Sequence, residues 1–163
     1  MSDGDTSPTS LFTVAIIGSF RQHYDVVTAS AERFVRAGWT VTSPRCSPVV
    51  SGDLFVRFET DDADLTDAEV QSVTLRNIFM AALVYVVNPG GYVGRTTCYE
   101  LGRIVQRRQP VYFLARPFDL PVEIPDWAIQ PPDSLIEILN VSRKPQWLYH
   151  DSSSYLAEIE RAL

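Results

Sequence analysis

The stretch at 82–101, ALVYVVNPGGYVGRTTCYEL, constrains the fold more than any other part of the chain. Residues 82–87 form an unbroken apolar run rich in valine. Such a run suits a strand buried on both faces, as in a parallel sheet. Asn88-Pro89-Gly90-Gly91 then ends it, because proline lacks an N–H and glycine accepts positive φ. Thr97-Cys98-Tyr99-Glu100 has the spacing of a capping box, which predicts a helix starting at Thr97. Strand, glycine-rich turn and helix start place the turn at the carboxyl end of a parallel strand. Open α/β sheets bind ligands there, and helix N–H groups favour anions.

The rest of the chain repeats the alternation. Residues 11–17 (LFTVAII) read as a first strand, followed by a tight turn at Gly18-Ser19-Phe20-Arg21. A helix is expected over 24–37, with Val27, Ala31, Phe34 and Val35 on one face and Gly38 as its C′ residue. Residues 39–42 form a second short strand, limited by Pro44. Residues 54–58 read as an edge strand or a packed loop. Thr66-Asp67-Ala68-Glu69 is a second capping box, opening a helix that runs to about Met80. The helix from Thr97 extends to about Arg108, with Leu101, Ile104 and Val105 towards the sheet. Arg103, Gln106, Arg107 and Arg108 face water. Residues 111–114 form a further strand.

Beyond Arg116-Pro117 the chain is proline-rich and irregular. Residues 135–141 fit a strand or a short helix equally well by periodicity. Residues 152–163 read as a C-terminal helix with Tyr155, Leu156, Ile159 and Leu163 inward. The expected fold class is α/β. It is a single three-layer αβα domain over 11–163, with a parallel flavodoxin- or Rossmann-like sheet of about five strands. Residues 1–10 read as a disordered tail.

Composition narrows the function classes. A net charge of −6 argues against a nucleic-acid polymer or an anionic membrane as the main partner. No apolar run reaches the roughly 18 residues of a membrane span. The N-terminus lacks the basic and apolar segments of a signal peptide, so a cytoplasmic location is expected. The two cysteines, Cys46 and Cys98, have no metal-type spacing, and neither a metal nor an organic cofactor is implied. Glu59, Asp61, Asp62, Asp64 and Asp67 form an acidic run. It reads as a solvated loop before a helix N-terminus, or as a metal or substrate contact.

In a doubly wound sheet the first strand and the strand from Ala82 are expected to be neighbours, so their turns face one crevice. One turn supplies Gly18, Ser19, Phe20 and Arg21. The other supplies Asn88, Gly91, Tyr92, Gly94, Thr96, Thr97 and Glu100. The set offers an aromatic face, a guanidinium, hydroxyls, backbone N–H groups and one carboxylate. It suits a small ligand with a flat ring, a sugar and a phosphate, for which arginine is the best-matched side chain. Neither GxGxxG nor GxxxxGK[ST] is present. Glu100 has two readings: a nucleophile, or simply the capping partner of Thr97.

GSFR at 18–21 and GYVGRTTCYELGR at 91–103 resemble the nucleoside 2-deoxyribosyltransferase superfamily. That superfamily includes the 2′-deoxynucleoside 5′-phosphate N-hydrolases, with a similar GSxR turn and YELGR helix start. Some bacterial members carry a stretch like the NPGGYVG of 88–94. The resemblance covers the chain from the first strand to about Leu114. It implies that Glu100 is a nucleophile attacking the anomeric carbon of a nucleoside or nucleotide and displacing the base. Water then resolves the glycosyl-enzyme in hydrolases, and a second base does so in transferases. It further implies that Arg21 holds a 5′-phosphate, aided by Thr96 and Thr97, and that the protein is a homodimer or higher homo-oligomer.

Three positions depart from the family pattern. Phe79 and Ala82 stand where relatives with the NPGGY stretch tend to carry acidic residues. Gly94 stands where transferases have aspartate and the phosphate hydrolases have serine. The expected activity is therefore an N-glycosidase acting on a nucleoside 5′-monophosphate. A deoxyribosyltransferase and a non-catalytic nucleotide sensor are the alternatives. His23, Asp61 and Asp62 are the candidates for the general acid.

Overall fold

In the computed structural model, residues 11–44, 49–51, 57–58, 64–151 and 154–163 are described, with only the backbone path given for 49–51 and 57–58. The expected tail at 1–10, Cys46, and the acidic residues Glu59, Asp61 and Asp62 lie outside them. So does most of the candidate strand at 54–58.

Strand β1 (Thr13–Gly18) leads into helix α1 (Phe20–Arg36) and strand β2 (Thr40–Ser43). A small antiparallel pair, β3 (Val49–Ser51) and β4 (Arg57–Phe58), precedes helix α2 (Asp67–Phe79). Strand β5 (Leu83–Val87) follows, then a short 3-10 turn (Pro89–Gly91), helix α3 (Arg95–Gln106) and strand β6 (Val111–Phe113). The chain closes with helices α4 (Pro132–Ser142) and α5 (Tyr155–Ala162).

Among the described residues the main sheet has four strands in the order β2-β1-β5-β6, all parallel. That is one fewer than expected. Residues 135–141, whose period was ambiguous, lie in α4, and only an isolated bridge from Phe113 to Ile129 extends the sheet beyond β6. The neighbours expected from sequence are neighbours here: β1 pairs with β5 from Val14–Leu83 to Gly18–Val87. After β2 the chain returns to the other side of β1, so the order reverses between β1 and β5. The crevice at the carboxyl ends of these strands is the switch point of the sheet.

Alternation along the strands builds two apolar layers. Ala15, Ile17, Val84 and Val86 point to one face, under Leu75 and Ile78 of α2, Leu101 and Ile104 of α3 and Ala157 of α5. Val14, Ile16, Leu83, Tyr85 and Val87 point to the other, under Val27, Ala31 and Phe34 of α1 and Leu135 and Leu139 of α4. Phe34 stacks on Trp39 with ring centroids 5.1 Å apart and meets Tyr85 edge-on. Burying a side chain of this size contributes about 1.5–3 kcal/mol. The result is the expected three-layer αβα fold.

One boundary and two buried faces differ from expectation for local reasons. Helix α1 begins at Phe20 rather than Tyr24; a non-helical residue, His23, kinks its first turn. In the same helix Val35 is exposed, because the buried stripe runs Val27, Ala31, Phe34. In α5 it is Ala157 that is buried and Leu156 that packs on the core, while Tyr155, Ile159 and Leu163 are exposed. The capping box of α2 is as read: the Glu69 N–H donates to Thr66 Oγ1, and the Thr66 N–H donates to Glu69 Oε2 at 2.8 Å.

Candidate functional site

Helix α3 starts two residues before Thr97. Its N-cap is Gly94, at φ 86° and ψ 166°, a region almost closed to residues with a Cβ. The Cys98 N–H donates to the Gly94 carbonyl at 2.9 Å. Thr97 therefore lies within the first turn, buried, and makes no capping box with Glu100.

Released from that role, Glu100 faces inward on the stripe Thr97–Leu101–Ile104. It is 6% exposed. Its Oε1 accepts a hydrogen bond at 3.0 Å from Nε2 of Gln71, on α2. Burial pushes its carboxyl up to about 7, and the Gln71 bond opposes the shift only in part. Removing a carboxylate from water disfavours its charged form, and a neutral amide returns only part of what water supplied. A buried carboxylate with such a shifted proton affinity, at the end of a sheet where strand order reverses, has the character of a functional group.

The two turns leave adjacent strands at the same edge, Gly18 opposite Val87. Ser19 is the N-cap residue of α1, and its carbonyl accepts from the N–H groups of Gln22 and His23. Phe20 is half-buried and packs on the α1 side of the core, so only part of its ring is open to a ligand. Arg21 is exposed in the first turn of α1. His23, a candidate general acid, sits at the kink of that turn.

The second turn is more tightly bound to the protein than its sequence implies. Asn88 is fully buried, and its amide grips the backbone of Ala115 from both ends: Nδ2 donates to the Ala115 carbonyl at 2.8 Å and Oδ1 accepts from its N–H at 3.1 Å. Its expected part in substrate binding is corrected accordingly: the side chain is a latch between β5 and the segment after β6. Gly91 is also a close approach. Its carbonyl accepts from Phe118 N–H at 3.1 Å, and a Cβ there would collide with the Arg116 carbonyl. Tyr92 remains 42% exposed, with its ring 6.2 Å from that of Phe118 and close over Gly94. Thr96 is exposed at the helix start.

Two residues of the site were not found from sequence. Gln71 is one. Asp119 is the other: its Oδ1 accepts from the Val93 N–H at 2.9 Å and its Oδ2 from the Gly94 N–H at 3.1 Å. A carboxylate thus already occupies part of the anion-attracting end of α3. Neither residue is near its partner in sequence, and a lone Gln or Asp in a helix or a proline-rich loop carries no signal of its own. Phe79 and Ala82 lie away from the turns, Phe79 at the end of α2 under Arg107. The Ala82 N–H donates to Thr13.

No family model matches the chain, and comparison with curated proteins and with solved structures finds no similar one. The functional reading therefore rests on the residues. Among the described residues no helix is long and apolar enough to cross a membrane.

Proposed function

We propose that the protein is an N-glycosidase that cleaves the base–sugar bond of a nucleoside 5′-monophosphate, with Glu100 as nucleophile. The observation that carries this reading is the desolvated Glu100 carboxylate, held by Gln71 on the helix that follows the turn at the switch point of the sheet. In the proposed reaction one Glu100 oxygen bonds to the anomeric carbon as the C–N bond breaks. The base leaves with the electron pair and takes up a proton. Water then hydrolyses the glycosyl ester and regenerates the carboxylate. Arg21 and Thr96 bind the phosphate. The Tyr92 ring and the open part of Phe20 pack on base or sugar.

A nucleophilic carboxylate has to be charged. Since Glu100 loses its proton only near pH 7, turnover should rise with pH through that value rather than through the ordinary carboxylate range. Burial also strips water from the attacking oxygen, which leaves it a stronger nucleophile once ionised. Gly94, where the resemblance leads one to look for aspartate in transferases, favours water over a second base as acceptor. The resemblance further supports a homodimer or larger homo-oligomer.

A second reading, nucleotide binding without turnover, is favoured by Phe79 and Ala82, which stand where relatives with the NPGGY stretch tend to carry acidic residues. One experiment separates the readings. Purified protein is incubated with pooled ribo- and deoxyribonucleotides, with and without a free second base. Released base alone is the expected product. An exchanged nucleoside would mean transfer, and saturable binding without product would mean a sensor. Glu100→Gln should abolish release, and base release at the original rate by that variant would overturn the assignment.

A further inference from the structure

The outward side of the α2–α3 pair holds a groove of about 450 Å³, within the range of small-ligand sites. Glu100 and Arg21 are not among its lining residues. Arg76 reaches it from α2, Arg103 and Arg107 from α3. Residues four apart on a helix lie on one face, so Arg103 and Arg107 act together.

The groove is layered. The Arg107 guanidinium lies 4.4 Å from the centroid of the Phe79 ring. The Arg103 guanidinium lies 5.9 Å from both Phe79 and Tyr99, and donates to the Tyr99 hydroxyl at 2.9 Å. Stacking on a ring uses the flat face of a guanidinium and leaves its edge N–H groups for an oxyanion. Tyr99 is 51% exposed and Met80 70% exposed, so flat apolar surface borders the cations.

The charges here are unbalanced. Arg33, Arg36 and Arg116 form salt bridges with Asp133, Glu32 and Asp126. Among the described residues Arg76, Arg103 and Arg107 have no carboxylate partner, and no Asp or Glu lines the groove. Among the described residues these three cations gather without counter-charge, in a chain of net charge −6, and match a ligand carrying several negative charges. A single carboxylate or monoester would leave part of that charge unmet. A diphosphate chain spans neighbouring guanidinium groups, and a base attached to it can lie against Tyr99 and Met80.

We propose that this groove is a second ligand site that takes a nucleoside di- or triphosphate: the phosphates on Arg76, Arg103 and Arg107, the base on the exposed ring of Tyr99. It is separate from the Glu100 site and does not depend on the glycosidase reading.

Calorimetric titration of the full chain with ADP tests it, alongside Arg103→Gln/Arg107→Gln, Arg76→Gln, Tyr99→Ala and Arg21→Ala. Saturable binding is expected, weakened about tenfold or more by the double substitution, because charge-assisted bonds to phosphate are lost. Arg76→Gln alone, an exposed change that leaves the core intact, should weaken it about threefold or more on the same grounds. The component of binding lost in the groove variants should be retained in Arg21→Ala. Inorganic pyrophosphate should compete but bind more weakly, and Tyr99→Ala should erase that difference. Absence of ADP binding would overturn the proposal. So would binding that survives all the groove substitutions but is lost in Arg21→Ala, a result that would leave the glycosidase reading standing. Displacement of ADP by a poly-glutamate peptide at lower concentration than by pyrophosphate would also overturn it, in favour of a protein partner.

Discussion

Replacing Glu100 by glutamine should make the protein more stable at pH 8 and alter its stability much less at pH 5. Glu100 is buried, and its carboxyl is pushed from an ordinary value of 4.5 up to about 7. The fold therefore binds this proton more tightly than the unfolded chain does. Between those two values the unfolded state has lost the proton and the folded state has kept it. By linkage, stability falls as pH rises through that window, and the loss is complete above the folded value. At about 1.4 kcal/mol for each tenfold change in proton affinity, the charged form costs the fold about 3 kcal/mol.

Glutamine has nearly the same shape, and its carbonyl can still accept from Gln71 Nε2, but it carries no charge. The difference in unfolding free energy between Glu100→Gln and the parent should thus grow from under about 1 kcal/mol at pH 5 to about 3 kcal/mol at pH 8. In a chain of this size that corresponds to roughly 6–12 °C in Tm. Urea unfolding of both proteins at pH 5, 6, 7 and 8 measures it. Taking the difference cancels every other titrating group. Two curves that run parallel across the range would refute the reasoning, since Glu100 would then be no more desolvated in the fold than in the open chain.

The other predictions concern the partners that hold the site. Gln71→Leu removes the hydrogen bond to charged Glu100, worth about 1.5–3 kcal/mol, so the pH at which Glu100 ionises should rise by about one unit or more; the midpoint of the parent-minus-Glu100→Gln stability difference, remeasured in that background, reports it. Asn88→Ala breaks both bonds to Ala115 and should cost about 2–3 kcal/mol, read by urea unfolding at pH 7. Asp119→Ala frees the N–H groups of Val93 and Gly94 and should cost about 1–2 kcal/mol. If Asp119 also opposes an incoming phosphate, the same variant should bind a nucleoside monophosphate more tightly, which equilibrium dialysis would show.

How much was legible in the chain depended on how far apart the interacting groups lie. Two segments carry the same capping spacing, Thr66–Glu69 and Thr97–Glu100. The first forms a capping box because its donors and acceptors lie within four residues of one another and nothing outside competes. The second does not, because Gly94 adopts a backbone geometry open to glycine and starts the helix earlier. Asp119 then satisfies two N–H groups of that entry across 26 and 25 residues. The apolar run of a strand, by contrast, is a local signal, and it predicts β1 and β5; their adjacency follows from the topology of a doubly wound sheet. The turns at 18–21 and 88–94 were correctly placed at the carboxyl edge. What they bind to within the protein, Asn88 to Ala115 and Gly91 to Phe118, depends on a loop whose sequence is irregular.

Which of the two readings of the Thr97–Glu100 spacing holds bears directly on function. Had Glu100 bonded the Thr97 backbone, hydrogen bonds from Thr97 would have stabilised its charge near water, as the backbone and hydroxyl of Thr66 stabilise Glu69 in α2. Its proton affinity would then have fallen, as that of Glu69 does. Moving the helix start back to Arg95 turns Glu100 inward instead, onto a stripe otherwise occupied by Thr97, Leu101 and Ile104. There the same side chain opposes folding above neutral pH rather than assisting it. A carboxylate that weakens its own fold, while an uncharged amide of equal size would fit, is the kind of departure from local consistency that marks a candidate functional position. A solvated capping carboxylate and a buried one are thus distinguished by the sign of one pH dependence, and the Glu100→Gln difference curve reads that sign.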